Sequence, residues 1–176
     1  MIIKDIIIRR ILDSRGNPTV EAEITSEENE KEYVGRAASP AGASTGTHEA
    51  MAWPSGSVSK GMRFAEEKVI PKLLGKSPFE QDEFDSTLRE IDGTENFSNL
   101  GGNVAIALSL ACAKCAAKRD NKPLFRYLRW LRLHLLGKSG VMVTPAPEKY
   151  SVPAPMANVL GGGAHAIGGT DIQEYL

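Results

Sequence analysis

The chain has 176 residues, with 22 acidic against 21 basic side chains, a formal net charge of -1, 41% hydrophobic and 24% charged content. These are ordinary globular proportions, enough for one good core or one domain and part of a second. Dispersed basic residues give no electrostatic case for nucleic acid, and no run reaches the roughly 20 apolar residues of a membrane span, so neither is expected as a partner.

The opening "MIIKDIIIRRILDSRG" is apolar but interrupted by Lys4, Asp5, Arg9 and Arg10. It does not read as a secretory signal, and a cytoplasmic location is expected. Residues 2–12 predict a strand, and "SRGN" (14–17) a turn. "TVEAEIT" (19–25) alternates, with Val20, Ala22 and Ile24 on one face and Glu21 and Glu23 on the other. "SEEN" predicts a second turn and "KEYVGRA" (31–37) a third strand. Such short connections imply an antiparallel meander with one wet face and one face needing cover.

Helices follow. "KGMRFAEEKVIPKLLGK" (60–76) predicts a helix kinked or ended near Pro71. Ser77 is the expected N-cap of the next, with Pro78 at its first position and Glu80 completing a capping box. Phe84, Leu88 and Ile91 repeat on one face, and Gly93 suits the C-terminal cap. Residues 103–118 are apolar nearly all round and predict the central buried helix. Pro123 opens a last helix, with Leu124, Leu128, Leu131 and Leu135 expected inward and Arg126, Arg129 and Arg132 outward. Beyond Gly137, glycine and four prolines in "GKSGVMVTPAPEKYSVPAP" predict a linker.

Three features invite chemistry. Cys112 and Cys115 form a CxxC, but inside an alanine-rich helical run and not at the helix N-terminus that lowers a thiol pKa; small buried core residues are expected. Gly163 to Thr170 spells GxxxxGGT, one residue short of a phosphate loop. The missing residue is the lysine that meets the phosphates, so a nucleotide loop is rejected. His165 and Glu174 flank the same turn, where imidazole and carboxylate could exchange protons with a small oxygenated substrate. Finally "SPAGASTGTHEA" (39–50) is a turn-prone stretch of small and hydroxyl residues that leaves backbone groups accessible and has nothing large enough to anchor a core.

Four motifs, "DSRGNPTVEAE" (13–23), "AGASTGTHEA" (41–50), "DGTENFSNLGGNVAIALSLACAKCAA" (92–117) and "VPAPMANVLGGGAHAIGGTDIQEYL" (152–176), together make the chain resemble the N-terminal part of the enolases, phosphopyruvate hydratases. The resemblance implies an α+β capping domain over residues 1–136, a three-stranded antiparallel meander plus helices. A linker (137–150) and the start of a β/α barrel (151–176) then follow. It implies that Ser44 lies on the loop that closes over substrate and contributes to a second, substrate-dependent Mg²⁺. His165, Gln173 and Glu174 match substrate-site residues, with His165 and Glu174 as the catalytic candidates.

The implied reaction dehydrates 2-phosphoglycerate to phosphoenolpyruvate in glycolysis, with a lysine base and Mg²⁺ stabilising the anionic intermediate. Homodimers or larger homo-oligomers are implied too, with Arg15 matching an arginine of an intersubunit salt bridge. Residues 51–60 and 129–150 depart from the family pattern, the second being longer and more basic. The family's lysine base and three metal carboxylates have no counterpart in these 176 residues. The chain alone is therefore expected to be inactive, and the alternative reading is an enolase-derived structural or interaction protein.

Overall fold

Alternating β-branched residues and tight turns build a three-stranded antiparallel sheet, β1 (Ile2–Leu12), β2 (Pro18–Glu28) and β3 (Lys31–Ser39), in the order β1-β2-β3. The computed structural model describes residues 1–39, 42, 46–140, 150–163, 168–172 and the backbone of 174–175. It contains two units, Met1–Met142 and Val143–Leu176.

In the first unit Val20, Ala22 and Ile24 point inward and are buried, as their spacing predicts. The opposite face carries a charge ladder instead of bare solvent. Arg9 Nη2 donates to Glu23 Oε1 at 3.1 Å and Arg36 Nε donates to Glu23 Oε2 at 2.7 Å. These two guanidinium groups, Arg9 foremost, hold the Glu23 carboxyl below the usual range. The β2–β3 turn is narrower than expected. Only Asn29 and Glu30 turn, both at positive φ (51° and 64°), so the strands run on through Glu28 and from Lys31.

Helices cover the inner face. α1 (Val58–Phe64) passes through a π-helical turn (Ala65–Val69) into α2 (Ile70–Leu73). The irregularity sits immediately before Pro71, which has no N–H for the regular ladder. α3 (Gln81–Asp92) begins later than the Ser77 cap predicts. Ser77 Oγ accepts from the Phe79 N–H at 3.2 Å and closes a turn, while Glu80 is not helical. Docking explains the shift: Pro78 is fully buried, its carbonyl faces Cys112 Sγ at 3.5 Å, and Phe79 packs beside Ala113, Ala116 and Ala117 of the next helix. Gly93 closes α3 in the left-handed conformation, as expected.

The central helix is α4 (Gly102–Arg119). Val104, Leu108, Ala111, Cys112 and Cys115 are completely buried, although Ile106 and Leu110 face outward at 50% and 36% exposure. α4 lies against β3 at Gly35, where a Cβ would fall 2.1 Å from the Ala111 carbonyl oxygen. Only glycine allows that approach. Both cysteines are free, and burial pushes both thiols up, so they are core residues as expected.

α5 (Leu124–Lys138) differs from its predicted face. Tyr127 (0% exposed) and Leu131 (7%) are its buried residues, while Leu128 stands outward at 39%. The cause lies on α4, where Ala113, Ala116 and Ala117 leave a hollow that the larger tyrosine ring fills.

In the second unit the described residues form one antiparallel pair, β4 (Leu160–Gly161) with β5 (Glu174–Tyr175). Residues 152, 156 and 159 are apolar yet largely exposed. A barrel start is not confirmed by this pair.

Candidate functional site

β3 ends at Ser39, just ahead of the segment that carries Ser44. Its root is a buried clamp: the Thr19 hydroxyl on β2 donates to the Ser39 carbonyl, and both residues are buried. Beside it the β1–β2 turn folds on its own acid. Asp13 Oδ1 accepts the Arg15 N–H at 2.9 Å and the Asn17 N–H at 2.8 Å. These backbone donors, that of Asn17 first, hold the Asp13 carboxyl below its ordinary range. Asp13, Ser14 and Arg15 line a cleft of about 390 Å³ together with Thr19, Ala38 and Ser39.

Residues 46–51, which follow that segment, are also tied down. Glu49 Oε2 accepts the Gly46 N–H at 2.8 Å, closing a turn over 46–49. Met51 then donates its N–H to the Asn96 carbonyl at 2.8 Å and accepts from the Gly102 N–H at 2.7 Å. Residues 92–100, which receive this segment, are organised by Asp92, only 2% exposed. Its Oδ1 accepts the Asn99 and Leu100 N–H groups at 3.0 and 2.6 Å, and its Oδ2 accepts the Thr94 N–H at 3.1 Å.

In the second unit the described residues around the glycine-rich segment pair antiparallel. Gly161 pairs with Glu174, the Gly163 N–H donates to the Thr170 carbonyl at 2.7 Å, and Thr170 Oγ1 donates to the Ile172 carbonyl at 2.9 Å. A Cβ on Gly162 would lie 2.3 Å from the Ile172 carbonyl oxygen, so the close crossing demands glycine there. A phosphate loop would lead into a helix; here the described residues lead into β5.

Of the residues singled out in the sequence, Ser44, His165 and Gln173 lie outside the described residues. Glu174 is described by its backbone in β5, opposite Gly161. Thr19, Glu49 and Asp92 were not singled out. Glu49 had a readable signal, an acid three residues after a loop glycine, and so did Asp92, which stands before Gly-Thr at a helix end. Thr19 had none, because its partner is a backbone carbonyl on another strand.

No group of three or more His, Cys, Asp or Glu side chains that could hold a metal occurs among the described residues. They do not by themselves fit a Mg²⁺ cage, which takes oxygen ligands in octahedral array. No helix among them is long and apolar enough to cross a membrane.

Residues 3–128 match the family model of the enolase N-terminal domain. The chain is 43% identical over 174 residues to an enolase of Thermoplasma acidophilum, a match covering 99% of this chain and 38% of that protein. It is 43% identical over 176 residues to an enolase of Methanothermobacter thermautotrophicus, with the same coverage. An enolase of Bdellovibrio bacteriovorus is 44% identical over 182 residues, covering 99% of this chain and 39% of that protein. The chain thus spans about 38% of the length of these curated relatives.

Proposed function

The chain belongs to the enolase family, and from that premise we propose that it supplies the capping domain and closing loop of a lyase that dehydrates 2-phosphoglycerate to phosphoenolpyruvate. Residues 1–136 act as the cap, 137–150 as a linker and 151–176 as the first part of the barrel domain. The protein works in the cytoplasm as a homodimer or larger homo-oligomer.

The observation that carries this reading is the tethering of the residues on either side of the segment that holds Ser44. One end leaves the Thr19–Ser39 clamp; the other is fixed by Glu49 and by Met51 on Asn96. Small residues between two rigid anchors suit a lid, and the Ser44 hydroxyl is a hard, neutral oxygen donor for substrate or for Mg²⁺. Mg²⁺, when bound, would stabilise negative charge developing on the substrate carboxylate. The described residues form no cage for it, so no step is derived through the ion.

His165, Gln173 and Glu174 act on the substrate from the glycine hairpin. The Gly161–Glu174 pairing closes the base of the segment that carries them, which supports a short-range imidazole–carboxylate pair. Such a pair can pass a proton to or from a substrate oxygen. Abstraction of the carbon-2 proton belongs to the family's lysine, which has no counterpart here, so the 176-residue chain alone is inactive.

The test is Ser44→Ala in a chain carrying the complete family barrel. Turnover, followed by ultraviolet absorbance of the enol product, should fall and need more Mg²⁺, with the melting temperature unchanged. A large loss of stability with ordinary Mg²⁺ dependence would refute the lid. Turnover by the isolated 176-residue chain that survives removal of host enolase and vanishes on changing His165 would refute its inactivity.

A further inference from the structure

A groove of about 340 Å³ runs between α3 and α4, and the proposed reaction does not use it. Its walls are largely apolar, with Leu88 from α3, Phe97 from the loop that follows, and Ala105, Ile106 and Leu110 from α4. Ile106 and Leu110 are exposed here, although Val104 and Leu108 of the same helix are fully buried.

Two charges of opposite sign line the groove beside these apolar groups. Asp85 and Arg89 stand one helical turn apart on α3 and so share a face. Asp85 is half-buried, its Oδ1 accepts from Gln81 Nε2 at 3.0 Å, and the Ser109 side chain also hydrogen-bonds it. These contacts hold the carboxylate in place without filling it, since an ionised carboxylate offers about four acceptor sites. The Arg89 guanidinium lies 5.7 Å from the Phe97 ring centroid. That contact takes one face of the planar group, whereas its N–H donors point outward from the edges.

The charge pattern selects the occupant. A purely cationic ligand would be repelled by Arg89, and a purely anionic one by Asp85. A hydrocarbon would desolvate both charges and pair with neither. A small apolar amino acid answers each feature. Its ammonium donates to Asp85, its carboxylate accepts from the Arg89 fork, and its side chain lies against Phe97, Ile106 and Leu110. The volume is at the small end of the range of roughly 300–1,000 Å³ found for ligand sites, which suits one such molecule.

We propose that the groove between α3 and α4 is a binding site for a zwitterionic apolar amino acid, with Asp85 on its ammonium group and Arg89 on its carboxylate.

The experiment titrates the full, isotope-labelled 176-residue chain with L-phenylalanine at neutral pH and follows the amide NMR signals. Those of Asp85, Arg89, Phe97, Ile106 and Leu110 should move together and saturate. Phenethylamine lacks the carboxylate and hydrocinnamate lacks the ammonium group, so each should bind about 10-fold more weakly, the value of one charge-assisted contact. Variants then separate the two charges. Asp85→Asn should bind phenylalanine no better than hydrocinnamate, and Arg89→Gln should bind phenylalanine no better than phenethylamine. Arg89 is exposed, so Arg89→Gln keeps the test decisive even where Asp85→Asn lowers the melting temperature read by circular dichroism. No saturation by about 10 mM phenylalanine, equal affinity for the three probes, or an Arg89→Gln variant that binds like the parent would each overturn the proposal. Movement of the same signals with protein concentration alone would assign the groove to a second copy of the chain and overturn it as well.

Discussion

Asp92→Ala removes one side chain and disconnects a whole loop. The carboxylate is 2% exposed and accepts from the backbone N–H groups of Thr94, Asn99 and Leu100, and from the Thr94 hydroxyl. Leu100 is completely buried, so its N–H finds no water once Asp92 is gone. A buried orphaned donor costs about 1–3 kcal/mol, and donors with partial access to water cost less. Summed over one buried and two part-buried N–H groups, the loss is about 4 kcal/mol. With a urea slope of roughly 2 kcal/mol per molar, the unfolding midpoint should fall by about 2 M. Asp92→Asn keeps an acceptor for Asn99 and Leu100 but turns its amide nitrogen toward the Thr94 N–H, so it should lose about half as much. The assay is urea unfolding followed by far-ultraviolet circular dichroism. Hydrogen exchange supplies a second readout, because the Met51 N–H is held by the Asn96 carbonyl of this loop and should exchange faster. An Asp92→Ala midpoint within about 0.5 M of the parent at unchanged slope would refute the reasoning.

Other outcomes follow from the same geometry. Gly35→Ala forces a Cβ to 2.1 Å from the Ala111 carbonyl oxygen and 2.4 Å from the Cys115 nitrogen; it should cost about 3 kcal/mol, read as a lower melting temperature. Gly46→Ala, with nothing within 4 Å of its Cβ, is the control and should cost far less. Asp85 lines the groove between α3 and α4 with Leu88, Phe97 and Ile106, and desolvation there raises its carboxyl above the ordinary range. The folded state then binds more protons than the unfolded chain just above the ordinary aspartate pKa of about 3.9. Its stabilising effect is complete below that value and is lost as pH rises through the raised one. Asp85→Asn should flatten this decline in chemical-denaturation series across mildly acidic pH; an unchanged slope would count against it. Arg15 is exposed at the cleft, and the enolase resemblance assigns its salt-bridge partner to the barrel part of the family. The isolated chain should therefore sediment as a monomer at micromolar concentration, and a tight dimer would contradict this.

Legibility in the sequence followed the range of each interaction. Val20, Ala22 and Ile24 could be assigned to one face because period-two alternation is local and the neighbouring strands keep it in register. In β1 the same rule fails, since a register shift between Ile3 and Asp5 lets Ile3, Ile6 and Ile8 all face the core. That irregularity leaves no mark in an isoleucine-rich run. The exchange of Leu128 for Tyr127 was equally hidden, because the α4 alanines that receive the ring are remote in sequence.

The candidate site divides in the same way. The residues proposed to carry its chemistry, Ser44, His165, Gln173 and Glu174, are named by motif alone. Of its supports, Glu49 and Asp92 carry local signals, but the contacts made by Thr19 and by the loop that Asp92 shapes are long-range. Thr19 clamps Ser39 from a neighbouring strand, and Asp92 reaches forward to Leu100 and, through the loop it shapes, back to Met51. The side chains proposed to touch substrate are thus named by motif, whereas the contacts that anchor the segments on either side are shown by the fold. This predicts separable phenotypes. Changes at Ser44 should alter turnover without altering melting, and changes at Thr19 or Asp92 should lower melting first and alter turnover only through the displaced loop.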